Sequence, residues 1–266
     1  MTEAAFTSFA DWWAGRRIAT SAGFFLPYIQ PGVALLDCGC GPGTITLDFA
    51  EVLAPREVIG IDVDDRALDR ACKTAEERGI TNVRFEHGDI YALDFANASF
   101  DAVWTSSTMQ WLRQPRKAIS EIERVLKPGG VYGSRDRATQ GDLFGNSNSL
   151  LRLSWRLHYR LNARNGLSPL LSTKLRTLLL QAGFKNVVTA GSYENHGTQE
   201  GARFASGLYR SSLESQSFGG RMVDLGWITA DQRAKLIEAW NAWAEDPRSY
   251  YAIARIETLA WKPVNT

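Results

Sequence analysis

The chain has 266 residues, 44% apolar and 22% charged, enough to bury a full core as one decorated domain or two small ones. Thirty Lys and Arg against 29 Asp and Glu leave a formal charge of +1, which excludes a global attraction to nucleic acid or anionic membrane. No apolar run nears the roughly 20 residues that span a bilayer, the first ten residues do not read as a secretory leader, and Cys38, Cys40 and Cys72 suit a reduced, cytoplasmic protein.

Seven aromatics crowd the first 32 residues ahead of any strand signal: Phe6, Phe9, Trp12, Trp13, Phe24, Phe25 and Tyr28. The spacing of the first four fits one face of a short helix. Residues 1–32 are expected to form an aromatic helical lid, with 1–28 mobile over a ligand crevice. From Val33 short apolar runs alternate with helical stretches. Strands are predicted near 33–37, 57–62, 82–87, 100–105 and 130–135, and helices near 43–53, 66–78 and 114–126. Such alternation indicates a parallel sheet with helices on both faces. Leu35-Leu36 and Val58-Ile59 are uninterrupted apolar pairs, as in strands buried on both sides. Residues 33–136 are thus the expected ligand-binding core.

Beyond Arg135 the chain turns polar up to Ser149. Leu150, Leu153, Leu157 and Leu161 then recur at helical spacing, and a second helix near 172–182 ends at Gly183. This stretch, 137–182, reads as a helical cap insertion. A strand near 186–192, a helix opened by the capping-box pair Thr229 and Gln232, and a closing strand over 250–261 make up 183–266, the C-terminal part of the α/β domain.

The chemistry is concentrated at the first strand–helix junction, Asp37-Cys38-Gly39-Cys40-Gly41-Pro42-Gly43. Glycines there let a backbone pass close to a ligand. A carboxylate at Asp37 suits an ammonium or sulfonium group and not a pyrophosphate, which argues against NAD. Asp62 closes the second strand and can accept both hydroxyls of a ribose, while Asp89 follows the third and can accept from an adenine amino group. Asp64 or Asp65 is expected to cap the next helix. Three carboxylates at the ends of three neighbouring strands line one crevice, where open α/β sheets bind ligands.

These residues carry a resemblance. Asp37-x-Gly39-x-Gly41-x-Gly43, Gly60-Ile61-Asp62, Gly88-Asp89-Ile90, Phe100-Asp101-Ala-Val-Trp and Leu126-Lys-Pro-Gly-Gly130 resemble the successive motifs of class I S-adenosylmethionine-dependent methyltransferases, in the small-molecule branch related to ubiquinone and menaquinone enzymes. The likeness covers about 30–136. It implies a Rossmann-like seven-stranded sheet in the order 3-2-1-4-5-7-6, the last strand antiparallel, and S-adenosyl-L-methionine as cofactor with S-adenosyl-L-homocysteine as product. By position, Gly39, Gly41 and Gly43 would carry the methionyl part, Asp62 the ribose, Asp89 and Ile90 the adenine, with Thr105 near the methionine; Asp37 and Val63 complete the candidate cofactor-binding residues. The quinone enzymes' motifs after the fifth strand are not evident in 135–145, so their substrate does not carry over.

The expected reaction is methyl transfer to O, N or C of a small, ring-containing or apolar acceptor. Trp12, Trp13, Tyr28, Gln110, Trp155 and Tyr159 are the candidate acceptor and lid residues. His158, on the border of the leucine face of its helix, is the candidate base. Arg152, Arg156, Arg160 and Arg164 read as a solvated stripe, and no metal site is expected. Other readings are the same fold and cofactor steering a rearrangement or cyclisation, or binding without transfer. No nucleic-acid partner is expected, and oligomeric state stays open, a homodimer being one option.

Overall fold

The continuous apolar runs become short strands, and the amphipathic stretches between them become helices. In chain order these are β1 (Leu35–Cys38), α1 (Thr44–Leu53), β2 (Val58–Asp62), α2 (Asp65–Arg78), β3 (Val83–His87), β4 (Phe100–Ser106), α3 (Pro115–Val125) and β5 (Leu126–Arg137). There follow β6 (Leu143–Gly145), α4 (Ser149–Arg164), α5 (Leu171–Gln181), β7 (Lys185–His196), α6 (Gln199–Glu214), α7 (Ala230–Glu245) and β8 (Tyr250–Trp261). The structure, a computed structural model, describes residues 15–168 and 170–264. Of these, 15–137, 170–192 and 255–264 belong to a larger unit, and 138–168 with 193–254 to a smaller one. Helix α5 therefore belongs with the sheet and not with a 137–182 cap, and most of the chain after residue 192 joins the helical unit.

In the larger unit β3, β2, β1, β4 and β5 lie side by side in parallel, β8 runs antiparallel to β5, and β7 pairs with β8. Counting this unit's strands alone gives the expected seven in the order 3-2-1-4-5-7-6. The eighth strand, β6, is a three-residue partner of Tyr250–Ala252 within the smaller unit.

Alternation along each strand sorts side chains to two faces. Leu35, Val58, Ala102, Trp104 and Val131 meet Ile45, Phe49 and Leu53 of α1 on one face. Leu36, Ile59, Ile61, Val103 and Tyr132 meet Ile119 and Ile122 of α3 and Leu175 and Leu179 of α5 on the other. The first face has a further cover. Ala22, Phe25 and Ile29 are buried in it, with the Phe25 ring centroid 5.1 Å from Trp104 and 6.0 Å from Phe49. Gly133 on β5 makes the room, since a Cβ there would come 2.6 Å from the Phe25 ring. Residues 18–29 are thus part of the core, which corrects the expected lid over this stretch: an aromatic ring buried against the sheet is too costly to expose for gating. Tyr28 is half-exposed and packs edge-on against Trp261 at 5.2 Å. Phe6, Phe9, Trp12 and Trp13 lie outside the described residues.

The smaller unit closes on aromatic rings. Tyr209 of α6 stacks on Trp240 of α7 at 4.6 Å, and the Trp240 indole donates to Ser154 Oγ of α4 at 2.9 Å. Helix α7 begins with both halves of the Thr229–Gln232 capping box. Arg160 of the arginine stripe lies over the Trp227 ring at 4.0 Å, so this stripe is not wholly solvated.

Candidate active site

The site is a cavity of about 520 Å³ inside the larger unit, at the C-terminal ends of β1 to β4. That is the ligand position the parallel topology dictates. Its floor is the loop after β1. Gly39, Gly41 and Gly43 all take positive φ, of +76°, +55° and +74°, but for different reasons. A Cβ on Gly39 would come 2.4 Å from Thr108 Oγ1, so this glycine lets the β1 and β4 loops touch. A Cβ on Gly41 would meet nothing within 4 Å. Its absence keeps cavity space open beside a lining backbone. A Cβ on Gly43 would lie 2.6 Å from Phe85 and 2.7 Å from Ala71, and Gly43 does not line the cavity. It serves the packing of α1 against β3 and α2.

Asp62, at the end of β2, holds this loop in place. Its Oδ2 accepts the Gly41 N–H at 2.8 Å and its Oδ1 the Asp64 N–H at 3.0 Å. A carboxylate has about four lone-pair positions, so both oxygens retain acceptor capacity toward the cavity they line. Asp64 in turn caps α2 by accepting from Arg66 N–H. Asp89, after β3, accepts the Tyr91 N–H at 2.8 Å, which folds 89–92 into a turn and brings Ile90 and Tyr91 to the wall. Val63 lines the same space and is largely exposed.

Asp37 stands elsewhere. It is 2% exposed, faces α1 and accepts the Thr46 hydroxyl at 2.7 Å. Burial pushes its carboxyl up to about 7, with the Thr46 bond and the positive charge of Arg16 working in the opposite direction. It clasps β1 to α1 behind the glycine loop and does not line the cavity. Thr105 is also buried, on the opposite face, with its hydroxyl 2.8 Å from Tyr132 OH. β4 runs one residue further than predicted, and Ser106, Ser107 and Thr108 reach the cavity instead. Gln110 is buried and turned inward, its backbone N–H toward Asp136 at 3.4 Å and its side-chain amide toward Ser107 O at 3.4 Å.

His158, Trp155 and Tyr159 belong to the smaller unit. The His158 ring lies 4.4 Å from Phe218 and 5.1 Å from Tyr209. Trp155 and Tyr159 stack at 5.7 Å, and the Tyr159 hydroxyl accepts from Gln140 Nε2. None of the three is a cavity-lining residue. Sequence reasoning missed Trp111 and Leu112, which follow β4 and give the cavity apolar surface, and it missed Arg16. An Arg–Arg pair ahead of the first strand carries no pattern that points to a site.

Cavity size, an open glycine backbone, two lining carboxylates and apolar wall fit one zwitterionic nucleoside, S-adenosylmethionine. The residues present match that cofactor's parts. Among the described residues no cluster of His, Cys, Asp or Glu could hold a metal ion, and no helix is long and apolar enough to cross a membrane.

Residues 29–167 match the family described as "Methyltransferase domain". The chain is 33% identical to "Probable methyltransferase ltbC" of Aspergillus luteorubrus over 93% of its own length and 92% of that protein. It is 27% identical to a demethylmenaquinone methyltransferase of Lactobacillus johnsonii over 60% of this chain and 71% of the relative. In fold it is similar to a phosphoethanolamine N-methyltransferase of Haemonchus contortus solved with S-adenosylmethionine (TM-score 0.58, 19% identity, 96% of this chain, 56% of that one). It is similar also to the cyclase SpnF (TM-score 0.54, 24% identity, 96% of this chain, 81% of that one). The fold is that of the class I methyltransferases. The chain belongs to the methyltransferase domain family and is an S-adenosylmethionine-dependent methyltransferase.

Proposed function

We propose that the protein acts in the cytoplasm and methylates a small organic acceptor at O, N or C, with the cofactor held by Gly39, Gly41, Asp62, Asp89 and Ile90. The observation that carries this reading is the shared cavity. Carboxylates from the ends of β2 and β3, a glycine backbone from β1 and the hydroxyls of Ser106 to Thr108 from β4 all line it. Asp62 suits the ribose hydroxyls and Asp89 the adenine edge, with Val63 and Ile90 as apolar flanks. When bound, S-adenosylmethionine supplies an activated methyl group on a sulfonium.

The chain's own residues then have a modest task. Asp62 fixes the Gly41 loop and so the position of anything laid on it. Ile90, Trp111 and Leu112 exclude water from part of the wall. Alignment alone can supply a large share of the acceleration for such a displacement. A base is needed only where the acceptor loses a proton. The ionisable side chains among the described lining residues are Arg16, Asp62, Asp89, Tyr91 and Arg113. The aromatic and aliphatic wall supports a ring-containing or apolar acceptor.

A panel of phenols, amines and activated methylenes, each incubated with protein and S-adenosylmethionine, tests this. One acceptor class should yield S-adenosylhomocysteine and methylated product in equal amounts. Conversion of an acceptor with no S-adenosylhomocysteine would favour the cyclisation reading, which the likeness to SpnF supports only at the level of fold.

A further inference from the structure

We propose that Glu121 and Arg124 of α3, neither of which lines the cavity, are positioning residues that set the selectivity of the cofactor site for its base. The inference rests on the reading of Asp89 as the partner of the adenine amino group. Residues 88–99 join β3 to β4 without a helix, and Asp89, Ile90 and Tyr91 of this segment stand on the cavity wall. A segment with no ladder of its own must find other partners for its backbone. Glu121 and Arg124 supply them. Glu121 Oε2 accepts the Leu93 N–H at 2.8 Å. Arg124 donates from Nη2 to Leu93 O at 2.7 Å, and from Nη1 to Phe95 O at 2.7 Å and Asn97 Oδ1 at 3.0 Å. The same guanidinium meets Glu121 as a fork, Nε to Oε1 at 2.9 Å and Nη2 to Oε2 at 2.8 Å. Five bonds thus match its five N–H donors.

The pair is built for geometry more than for stability. Arg124 and Glu121 keep 30% and 20% of their side chains exposed, so water weakens their attraction. The hydrogen bonds from Arg124 nevertheless hold the Glu121 carboxyl below the ordinary carboxylate range, and the acceptor for Leu93 stays charged. The helix that carries them is fixed, because Ile119 and Ile122 are buried in the same core as Ile90 and Leu93. A further tie lies at its N-terminus, where Tyr91 OH accepts the Gln114 N–H at 3.1 Å. Asp89 sits at the start of the turn that leads to Leu93. Its Oδ1 accepts the Tyr91 N–H at 2.8 Å and its backbone carbonyl the Ala92 N–H at 2.9 Å. The turn that aims Asp89 thus ends beside the residue that Glu121 and Arg124 grip. A carboxylate tells an amino donor from a carbonyl oxygen only when held at hydrogen-bond distance and direction. Slack at Leu93 is therefore slack at Asp89.

Titration calorimetry with S-adenosylhomocysteine and S-inosylhomocysteine tests the pair, since the second ligand presents a carbonyl oxygen where adenine carries its amino group. The wild type should prefer S-adenosylhomocysteine by about 10- to 100-fold, the span of one charge-assisted bond. Arg124→Met should lose most of that preference, with S-inosylhomocysteine bound about as before. Arg124→Lys, a charge without the fork, and Glu121→Gln, an acceptor without the charge, should fall between. Asp62→Ala is the contrast: it weakens both ligands together and keeps their ratio. A brace that only stabilises the fold would lower the melting temperature of the α3 variants and leave the ratio at its wild-type value. That result, or the failure of every α3 variant to fold, overturns the positioning role alone. A wild type that binds the two ligands equally overturns Asp89 as the adenine partner and the role of the pair with it.

Discussion

Asp37 and Asp62 end adjacent parallel strands, yet their surroundings give them opposite work. Asp62 faces the cavity and supports the Gly41 loop. Asp37 is sealed against α1 with a carboxyl pushed up to about 7 by burial. A folded-state value above the ordinary 3.8 means that this group's contribution to stability is full below pH 4 and is lost as pH rises through 7. In Asp37→Asn the amide oxygen can still accept from Thr46, and nothing ionises. The stability of this variant relative to wild type should therefore climb between pH 4 and 8, by up to about 4 kcal/mol, in parallel urea melts. A difference that stays flat across that range would show that Asp37 is not desolvated. The glycines divide in a similar way. Gly43→Ala drives a methyl into Phe85 and Ala71 and should cost more stability than Gly41→Ala, while Gly41→Ala should cost more affinity for S-adenosylhomocysteine. Thermal melts and calorimetry on the two variants separate the effects.

At the level of elements, the central strands were legible because burial on both faces leaves short uninterrupted apolar runs, as in β1 and β2, and the topology followed from strand–helix alternation. Three features were not. The end of β4 fell one residue late, so Thr105, whose side chain points into the core, stood in for Ser106 and its neighbours; period-2 alternation makes a one-residue error a change of face. Helix α6 went unread although Thr198 caps it, because Gly201, Ser206, Gly207 and Ser211 dilute the apolar period where it packs against Trp240. The segment at 18–29 looked like a lid since its partners, Gly133 and Trp104, are far away in sequence. A core role predicts that Phe25→Ala costs about 3–5 kcal/mol in chemical denaturation. Loss of activity with unchanged stability would return the segment to gating.

For the whole molecule, the cavity lies within the larger unit. Of the acceptor-side residues expected from sequence, Tyr28 and Gln110 lie in that unit without lining the cavity, Trp155, His158 and Tyr159 lie in the smaller one, and Trp12 and Trp13 fall outside the described residues. His158 packs among aromatic rings. His158→Phe keeps that packing and removes the proton carrier, so S-adenosylhomocysteine production should persist. A loss of about 10²–10⁴ in rate would instead mark His158 as a general base. The central claim is that the cavity at the ends of β1 to β4 is the cofactor site and that Asp62 holds the ribose. Titration calorimetry of S-adenosylhomocysteine against wild type and Asp62→Ala tests it most directly. Two charge-assisted bonds of about 1.5–3 kcal/mol each are at stake. The variant should remain folded and bind at least 100-fold more weakly, and unchanged affinity in a folded Asp62→Ala protein would contradict the account.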